Sequence, residues 1–429
     1  MAVQQLTWLP DERPGVETDR SSTFADNRSL PIHRWFRYSA GFSALWVRDV
    51  IEREKAKGRH RVLDPFAGSG TVLLEGERCD VEAIGLEAHP FVARVARAKL
   101  CWRENPGIFL DYVLSIMEGA RRRTGDVDEY PELIRKCYPP EALCALHSLR
   151  EAWRASADGG DCSELAWLTL VTILRDCSPV GTAQWQYVLP NKAKSKAAHP
   201  YRAFREKAGL MAGDMATQQR TASGTEARLY HDDARLCVAV PDKWADLVIT
   251  SPPYANNYDY ADATRLEMSF MGDVQGWGDL QQAVRRFLVR ACSQHMVGMD
   301  GELDRMLGNA LLAPIRGEIA DVCRELGAER EKHGGRKAYH TMVAAYFLDM
   351  AETWVALRRV TTDDSLVCFV IGDSAPYGIY VPVHRWLGEL AVAAGFRTYS
   401  FEKLRDRNVK WKNRKHRVPL QEGRLWVKG

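Results

Sequence analysis

The segment Asp64-Pro65-Phe66-Ala67-Gly68-Ser69-Gly70-Thr71 decides the predicted fold. An apolar strand over 62–64 leads into it, and a helix over 71–78 follows it. The same order is repeated at once, with a strand over 83–87 and a helix over 90–100. Strands that alternate with helices in this way build parallel sheets. The sequence therefore predicts an α/β fold with a mostly parallel, doubly wound sheet.

The rest of the chain continues this pattern with two helical interruptions. At 429 residues the chain is long for one domain. Strand–helix alternation resumes near residue 229 and includes strong strands over 245–250 and 366–371. The predicted organisation begins with a polar leader over 1–30. An α/β domain follows, made of the segments 31–100 and 229–429. One helical insertion, 101–228, separates these segments, and a second, 262–335, lies within the later one.

Composition excludes several classes of protein. Hydrophobic residues make up 46% of the chain and charged residues 27%, as in ordinary globular proteins. The net charge of +3 neither requires nor excludes nucleic acid. None of the ten cysteines forms a Cys-x-x-Cys pair, and no histidine spacing completes a zinc site, so no metal is predicted. No signal pattern or membrane-length apolar run is visible, which predicts a cytoplasmic protein without membrane contact.

The glycine segment fits one cofactor better than two others. A phosphate-binding loop would place lysine after Gly70, where Thr71 stands, and a dinucleotide fingerprint would need glycine at Leu73. S-adenosylmethionine carries no phosphate and needs neither device. Glu87 closes the next strand, 17 residues past Gly70, where a carboxylate can accept both ribose hydroxyls. This pattern favours S-adenosylmethionine, bound in the crevice at the strand ends.

A second segment, Thr250-Ser251-Pro252-Pro253-Tyr254, caps the buried strand over 246–249. Two consecutive prolines remove two backbone donors and leave their carbonyls as rigid acceptors. Acceptors around an exocyclic amine of a base can bind its hydrogens and orient its lone pair. We expect the Ser251 side chain and the Pro252 carbonyl to act as acceptors. Tyr254 is expected to stack on a base that has left the duplex.

Together, the two segments resemble the motifs of the DNA amino-methyltransferases, the family that forms N6-methyladenine and N4-methylcytosine. The resemblance implies a Rossmann-like S-adenosylmethionine-dependent methyltransferase fold, and a catalytic domain over 31–100 and 229–429. Less closely, the stretch from Trp35 to Trp46 resembles the segment that packs against the methionine moiety, although a plain amphipathic helix explains it equally well. The resemblance assigns two groups of residues: the cofactor site Asp64, Pro65, Phe66, Gly68, Gly70, Thr71, Glu87 and Asp233, and the catalytic segment Ser251, Pro252, Pro253 and Tyr254.

Ser251 bears on the substrate, because Ser-Pro-Pro-Tyr is typical of cytosine-N4 enzymes in this family, whereas Asp or Asn at that position is usual for adenine enzymes. The leading hypothesis is site-specific methylation of cytosine N4 in DNA. The alternatives are a DNA adenine-N6 enzyme, an RNA base methyltransferase and a non-catalytic subunit that binds DNA or cofactor. The insertions are expected either to recognise the DNA target or to serve as structural or partner-docking elements.

Basic residues crowd near the C-terminus. Beside a base-modifying site, phosphate contacts are a better explanation for them than a solvated loop. Asp373 and Ser374 are expected either to line the base pocket or to form a turn. DNA is the expected partner, with restriction or phage-defence proteins as further candidates, and the oligomeric state stays open. The predicted phosphate contacts are Lys403, Arg405, Arg407, Lys410, Lys412 and Arg414.

Overall fold

A mixed α/β sheet forms the centre of the computed structural model. The largest sheet contains seven strands, and a two-stranded antiparallel sheet lies apart from it. The described residues are 26–38, 41–123, 125, 127–182, 188–193, 196–221, 224–256, 258–296, 298–299, 301–334, 337–407 and 418–429. Their strands are β1 Arg61–Asp64, β2 Glu82–Leu86, β3 Val180–Thr182, β4 Val188–Ala193, β5 Arg228–Tyr230, β6 Ala245–Thr250, β7 Thr361–Gly372, β8 Thr398–Arg407 and β9 Leu420–Lys428.

The order of strands in the large sheet is β5-β2-β1-β6-β7-β9-β8. All neighbours from β5 to β7 pair in parallel, and β9 pairs antiparallel with both β7 and β8. The strand order reverses beside β1, so that β2 and β6 flank it on opposite sides. A crevice opens at such a switch point, beyond the carboxyl ends of the strands. The predicted α/β, doubly wound, Rossmann-like fold is confirmed.

Helices cover both faces of this sheet. Some begin at sequence signals. Before Pro106, for example, the Asn105 side chain accepts from the backbone N–H of Gly107 at 2.8 Å. The α-helices are α1 Ala44–Lys55, α2 Thr71–Arg78, α3 Pro90–Leu100, α4 Pro106–Arg121, α5 Glu132–Cys137, α6 Pro140–Ser156, α7 Asp161–Cys177, α8 Pro200–Gln219, α9 Tyr260–Ala263, α10 Arg265–Met271, α11 Leu280–Ala283, α12 Leu303–Leu307, α13 Arg316–Lys332, α14 Tyr339–Val360 and α15 Val383–Ala393. Short 3-10 helices include His33–Trp35, Arg285–Phe287 and Ser293–Met296.

Successive side chains along each strand point to opposite faces of the sheet, so the hydrophobic core is divided between the two faces. Leu63 and Val248 belong to the cluster that packs under α14 and α15. Their neighbours Val62 and Leu247 belong to the cluster under α1 and α2. Because both faces are buried, the central strands carry continuous apolar runs such as Leu247 to Ile249, as in other sheets with helices on both sides.

The helices between α3 and β5 share one hydrophobic core with α3 itself. Asp214 on α8 also anchors the segment around the 3-10 helix His33–Trp35. Its buried carboxylate accepts from the Ile32 backbone N–H at 3.2 Å and from the Trp35 indole N–H at 2.9 Å. The segment 101–228 therefore holds the chain around Ile32 and Trp35 in place through α8. Its expected role in target recognition stays a prediction, as do the domain boundaries.

The structure adds two elements to the sequence pattern. The chain from His33 to Trp35 forms a 3-10 helix, and helix α1 begins at Ala44. Residues 398–407, to which the sequence pattern assigned no element, form strand β8. In the described part of the chain, no helix combines the length and the apolar character needed to cross a membrane.

Candidate active site

The predicted cofactor segment forms the loop between β1 and α2. Gly68 and Gly70 have φ angles of +52° and +86°, a left-handed conformation that favours glycine. A Cβ on Gly68 would lie 3.1 Å from the Tyr38 ring, and one on Gly70 would lie 3.4 Å from Ala96. Both glycines are therefore required by backbone conformation and by close packing.

Glu87 joins this loop to the end of β2. Its buried carboxylate accepts from the backbone N–H of Gly68 through Oε2 and from that of His89 through Oε1, each at 2.8 Å. Burial raises the pKa of Glu87 to about 7, although these hydrogen bonds act in the opposite direction. Each carboxylate oxygen keeps a further lone pair for a ligand.

Asp64 connects the two predicted motifs directly. Its Oδ1 accepts from the Thr250 hydroxyl at 2.6 Å and from the Phe66 backbone N–H at 3.1 Å. Burial raises the pKa of Asp64 to about 7. Because β1 and β6 are neighbours, this carboxyl group fixes the start of the second segment relative to the first.

A cavity that is partly open to solvent lies where these strands end. Residues from both predicted segments line it: Pro65, Phe66, Gly68, Thr71, Glu87, Asp233, Ser251 and Pro253. Asp64, Gly70, Pro252 and Tyr254 are not among the lining residues. The first two shape the loop from behind, as their contacts above indicate.

Asp233 lines the cavity next to β5. Arg235 forms a two-point ion pair with it, with Nη2 2.6 Å from Oδ2 and Nε 3.0 Å from Oδ1. A carboxylate paired in this way keeps lone pairs that can accept from an amino group.

The second segment presents its hydroxyl in a defined orientation. The Ser251 hydroxyl donates to the Val370 carbonyl at 3.2 Å, so its lone pairs remain as acceptors. Pro252 is buried and Pro253 is half-buried. The Tyr254 ring is half-buried, and the Arg407 guanidinium lies 5.0 Å from its centre, within cation–π distance.

Several residues that line the cavity belong to neither predicted motif. Tyr38 and Phe42 come from the stretch that matched the family only loosely. His89, whose Nε2 is 3.0 Å from the Thr264 hydroxyl oxygen, follows Glu87, and burial lowers its pKa to about 4. Tyr260 lies six residues past Tyr254, whereas the remaining lining residues lie far from both motifs in sequence and are brought in by folding alone: Phe287, Leu288 and Val289. Their apolar character was the only signal available.

The predicted phosphate contacts divide into two groups. Lys403, Arg405 and Arg407 lie on β8. Arg405 contacts Glu422 at 2.7 Å, and Arg407 donates to the Asp373 carbonyl at 2.8 Å, so both side chains already have partners within the fold. Asp373 itself accepts from the Tyr380 hydroxyl at 2.8 Å. Lys410, Lys412 and Arg414 lie outside the described residues.

We expect the Glu87→Gln variant to gain stability relative to the native protein as pH rises from about 5 to 8. The native carboxyl has a pKa near 4.5 when unfolded and about 7 when folded, so its favourable contribution is complete below pH 4.5 and is lost as pH rises through 7. The lost contribution is about 3 kcal/mol. Urea denaturation at several pH values measures it.

The control is Glu82→Gln, at the exposed start of the same strand, which should leave the pH dependence unchanged. If native protein and Glu87→Gln lose stability in parallel between pH 5 and 8, the folded carboxyl is not protonated in this range.

Comparisons with known proteins give one consistent result. The chain is 24% identical over 437 residues to the Type II methyltransferase M.BsoBI of Geobacillus stearothermophilus, a match that covers 90% of this chain and 82% of that protein. It is also 24% identical over 403 residues to the Type II methyltransferase M.AvaI of a Nostoc species, covering 87% and 81% respectively. No family model and no solved structure matches the chain.

Proposed function

We propose that this protein is a DNA methyltransferase that transfers a methyl group from S-adenosylmethionine to the exocyclic N4 amine of cytosine. One observation carries the proposal: residues of the glycine loop and of the Ser-Pro-Pro segment line the same cavity. The likeness of the chain, over most of its length, to proteins named Type II methyltransferases supports a methyl-transfer reaction.

The glycine-loop side of the cavity suits the cofactor. Glu87 offers carboxylate lone pairs to ribose hydroxyls, and the absence of a side chain at Gly68 lets the Tyr38 ring pack against the loop. Tyr38, Phe42 and Phe66 supply aromatic walls. When bound, S-adenosylmethionine supplies an electrophilic methyl group. Asp64 and Gly70 act as positioning residues that hold the loop.

The opposite side suits an exocyclic amine. This nitrogen is a weak nucleophile because its lone pair is delocalised into the ring, so orientation and hydrogen-bond acceptors are what the protein must provide. Ser251 accepts one amine hydrogen, because its own proton is engaged by Val370. The Pro252 carbonyl, between the lining residues Ser251 and Pro253, is proposed to accept the other when the base binds.

A base inside a duplex cannot reach this cavity and must flip out. Tyr254, held by Arg407, is the stacking surface for the flipped ring. The basic residues of the C-terminal region contact the phosphates, and the helical insertions contribute to target recognition. Ser251 in the Ser-Pro-Pro-Tyr motif favours cytosine over adenine. Such an enzyme acts in the cytoplasm, with S-adenosylmethionine as its cofactor and a restriction or phage-defence system as its setting.

The deciding experiment incubates the protein with isotope-labelled S-adenosylmethionine and unmethylated duplex DNA, single-stranded DNA or RNA. The products are digested to nucleosides and identified by mass spectrometry. We expect labelled N4-methylcytosine from DNA. Labelled N6-methyladenine would show that the substrate base is adenine and not cytosine. Label found in RNA alone would show that the substrate is RNA and not DNA. No label in any arm, with cofactor binding intact, would indicate a non-catalytic subunit.

A further inference from the structure

Three buried side chains that the proposed reaction does not use meet behind the cavity wall. They are Asp259, Cys292 and His295, whose ligating atoms all lie within 4.8 Å of one another. Asp259 precedes Tyr260, and Cys292 follows the segment 287–289. Tyr260 and that segment both line the cavity, so the cluster connects two parts of its wall.

His295 is the least satisfied member of the cluster. Its side chain is 4% exposed, and neither ring nitrogen has a hydrogen-bond partner among the described residues. Leaving a buried polar atom without a partner is unfavourable, so each such atom requires an explanation. A cation bound by one imidazole nitrogen would provide it.

The donor set is that of a transition metal. A thiolate, an imidazole and a carboxylate are ligands that Zn²⁺ uses, whereas Ca²⁺ and Mg²⁺ prefer oxygen alone. Cys292 and His295 are three residues apart on one tight turn, in which the His295 backbone N–H donates to the Cys292 carbonyl at 3.1 Å. This turn brings both side chains to the same place.

Further hydrogen bonds hold the Asp259 carboxylate in place, as is usual for carboxylates that bind metals. Its Oδ2 accepts from the buried Arg285 at 2.6 Å, and its Oδ1 accepts from the Ala261 backbone N–H at 3.1 Å. The Arg285 side chain pairs with Oδ2 through both Nε and Nη2. The carboxylate is thereby oriented before any ion binds.

We propose that Asp259, Cys292 and His295 bind one Zn²⁺ ion. Three protein ligands leave a fourth tetrahedral position for water. Cys292 would ligate as the thiolate, so its proton leaves when the metal binds, and His295 would ligate through a neutral ring nitrogen.

The bound ion would link two segments of the chain. It joins the loop that follows the Ser-Pro-Pro-Tyr segment to the turn that carries Cys292, and it thereby fixes Tyr260, Leu288 and Val289 around the cavity. The sequence pattern did not indicate this site, because the third ligand lies more than thirty residues from the other two and only the fold brings it near.

The test measures metal directly and requires no methyl transfer. Protein purified without chelators or an affinity tag is analysed for metal content, and we expect about one zinc per chain. Exchange with Co²⁺ should give a cobalt–thiolate charge-transfer band and the d–d spectrum of a tetrahedral site. A native protein that neither retains zinc nor develops the thiolate band with Co²⁺ would overturn the proposal.

Variants assign the ligands. Cys292→Ser and His295→Ala should each lose the bound zinc, and Cys292→Ser should also lose the thiolate band. The matched control is Cys323→Ser, another buried cysteine, whose Sγ lies 3.2 Å from the His340 carbonyl. It should retain both. Circular dichroism checks the folding of each variant. Zinc that persists in both ligand variants, or a thiolate band lost only in the control, would contradict the assignment.

Discussion

Replacing Ser251 with alanine is expected to lower kcat for methyl transfer by about 10²- to 10³-fold, the effect of losing one oriented hydrogen-bond partner at a reacting centre. The Ser251 hydroxyl donates to the Val370 carbonyl, and this fixes its lone pairs as acceptors for the amine. Alanine removes the acceptor and leaves the loop backbone in place. Affinity for S-adenosylhomocysteine, measured by calorimetry, should stay within about twofold, because Ser251 lies on the side of the cavity opposite Glu87 in the proposed complex.

The matched control is Ser365→Ala. Ser365 is a buried serine near the amino end of β7, where it begins the buried run of that strand. Its hydroxyl oxygen has no hydrogen-bond partner among the described residues, so its loss should leave kcat unchanged. A Ser251→Ala enzyme with native kcat would remove the acceptor role. A loss of kcat accompanied by an equal loss of cofactor affinity would show that Ser251 shapes the cofactor site.

The second large effect is expected from Gly68→Val, which should weaken S-adenosylhomocysteine binding by roughly 10²-fold. A side chain at φ +52° is strained, and its Cβ would lie 3.1 Å from the Tyr38 ring at the cavity wall. Left-handed strain and overpacking each cost on the order of 1–3 kcal/mol, and about 3 kcal/mol corresponds to this change in affinity. Calorimetric titration of the variant measures it.

Backbone strain alone is tested by Gly58→Val. Gly58 also has a positive φ, +93°, but no atom lies within 4 Å of the position of its Cβ. This control should lose stability by a similar amount and bind S-adenosylhomocysteine as the native protein does. If both variants bind equally well, Gly68 does not border the cofactor. If both lose binding equally, the effect is one of general stability.

The parts of the fold that were predicted correctly depend on interactions close in sequence. The strand at 62–64, the helix from Thr71 and the helix over 90–100 all follow from short apolar patterns and glycine turns. Strand β8 was missed because its alternating charged residues form ion pairs across to Glu422 on β9, a partner that the local sequence does not reveal. The extent of β7, which begins at Thr361 instead of near Leu366, was missed for a similar reason, since its first residues are polar.

The same division applies to the candidate site. The sequence alone identified the two loops, because glycine and proline impose backbone conformations wherever they occur. It could not supply the Asp64–Thr250 hydrogen bond, which exists because β1 and β6 are neighbours in the sheet. Nor could it bring Leu288 and Val289 to the cavity, or Asp259 to Cys292 and His295. Backbone turns are local properties of a few residues, whereas a cavity and a ligand cluster require distant segments to share one buried volume, and only tertiary packing decides which segments do.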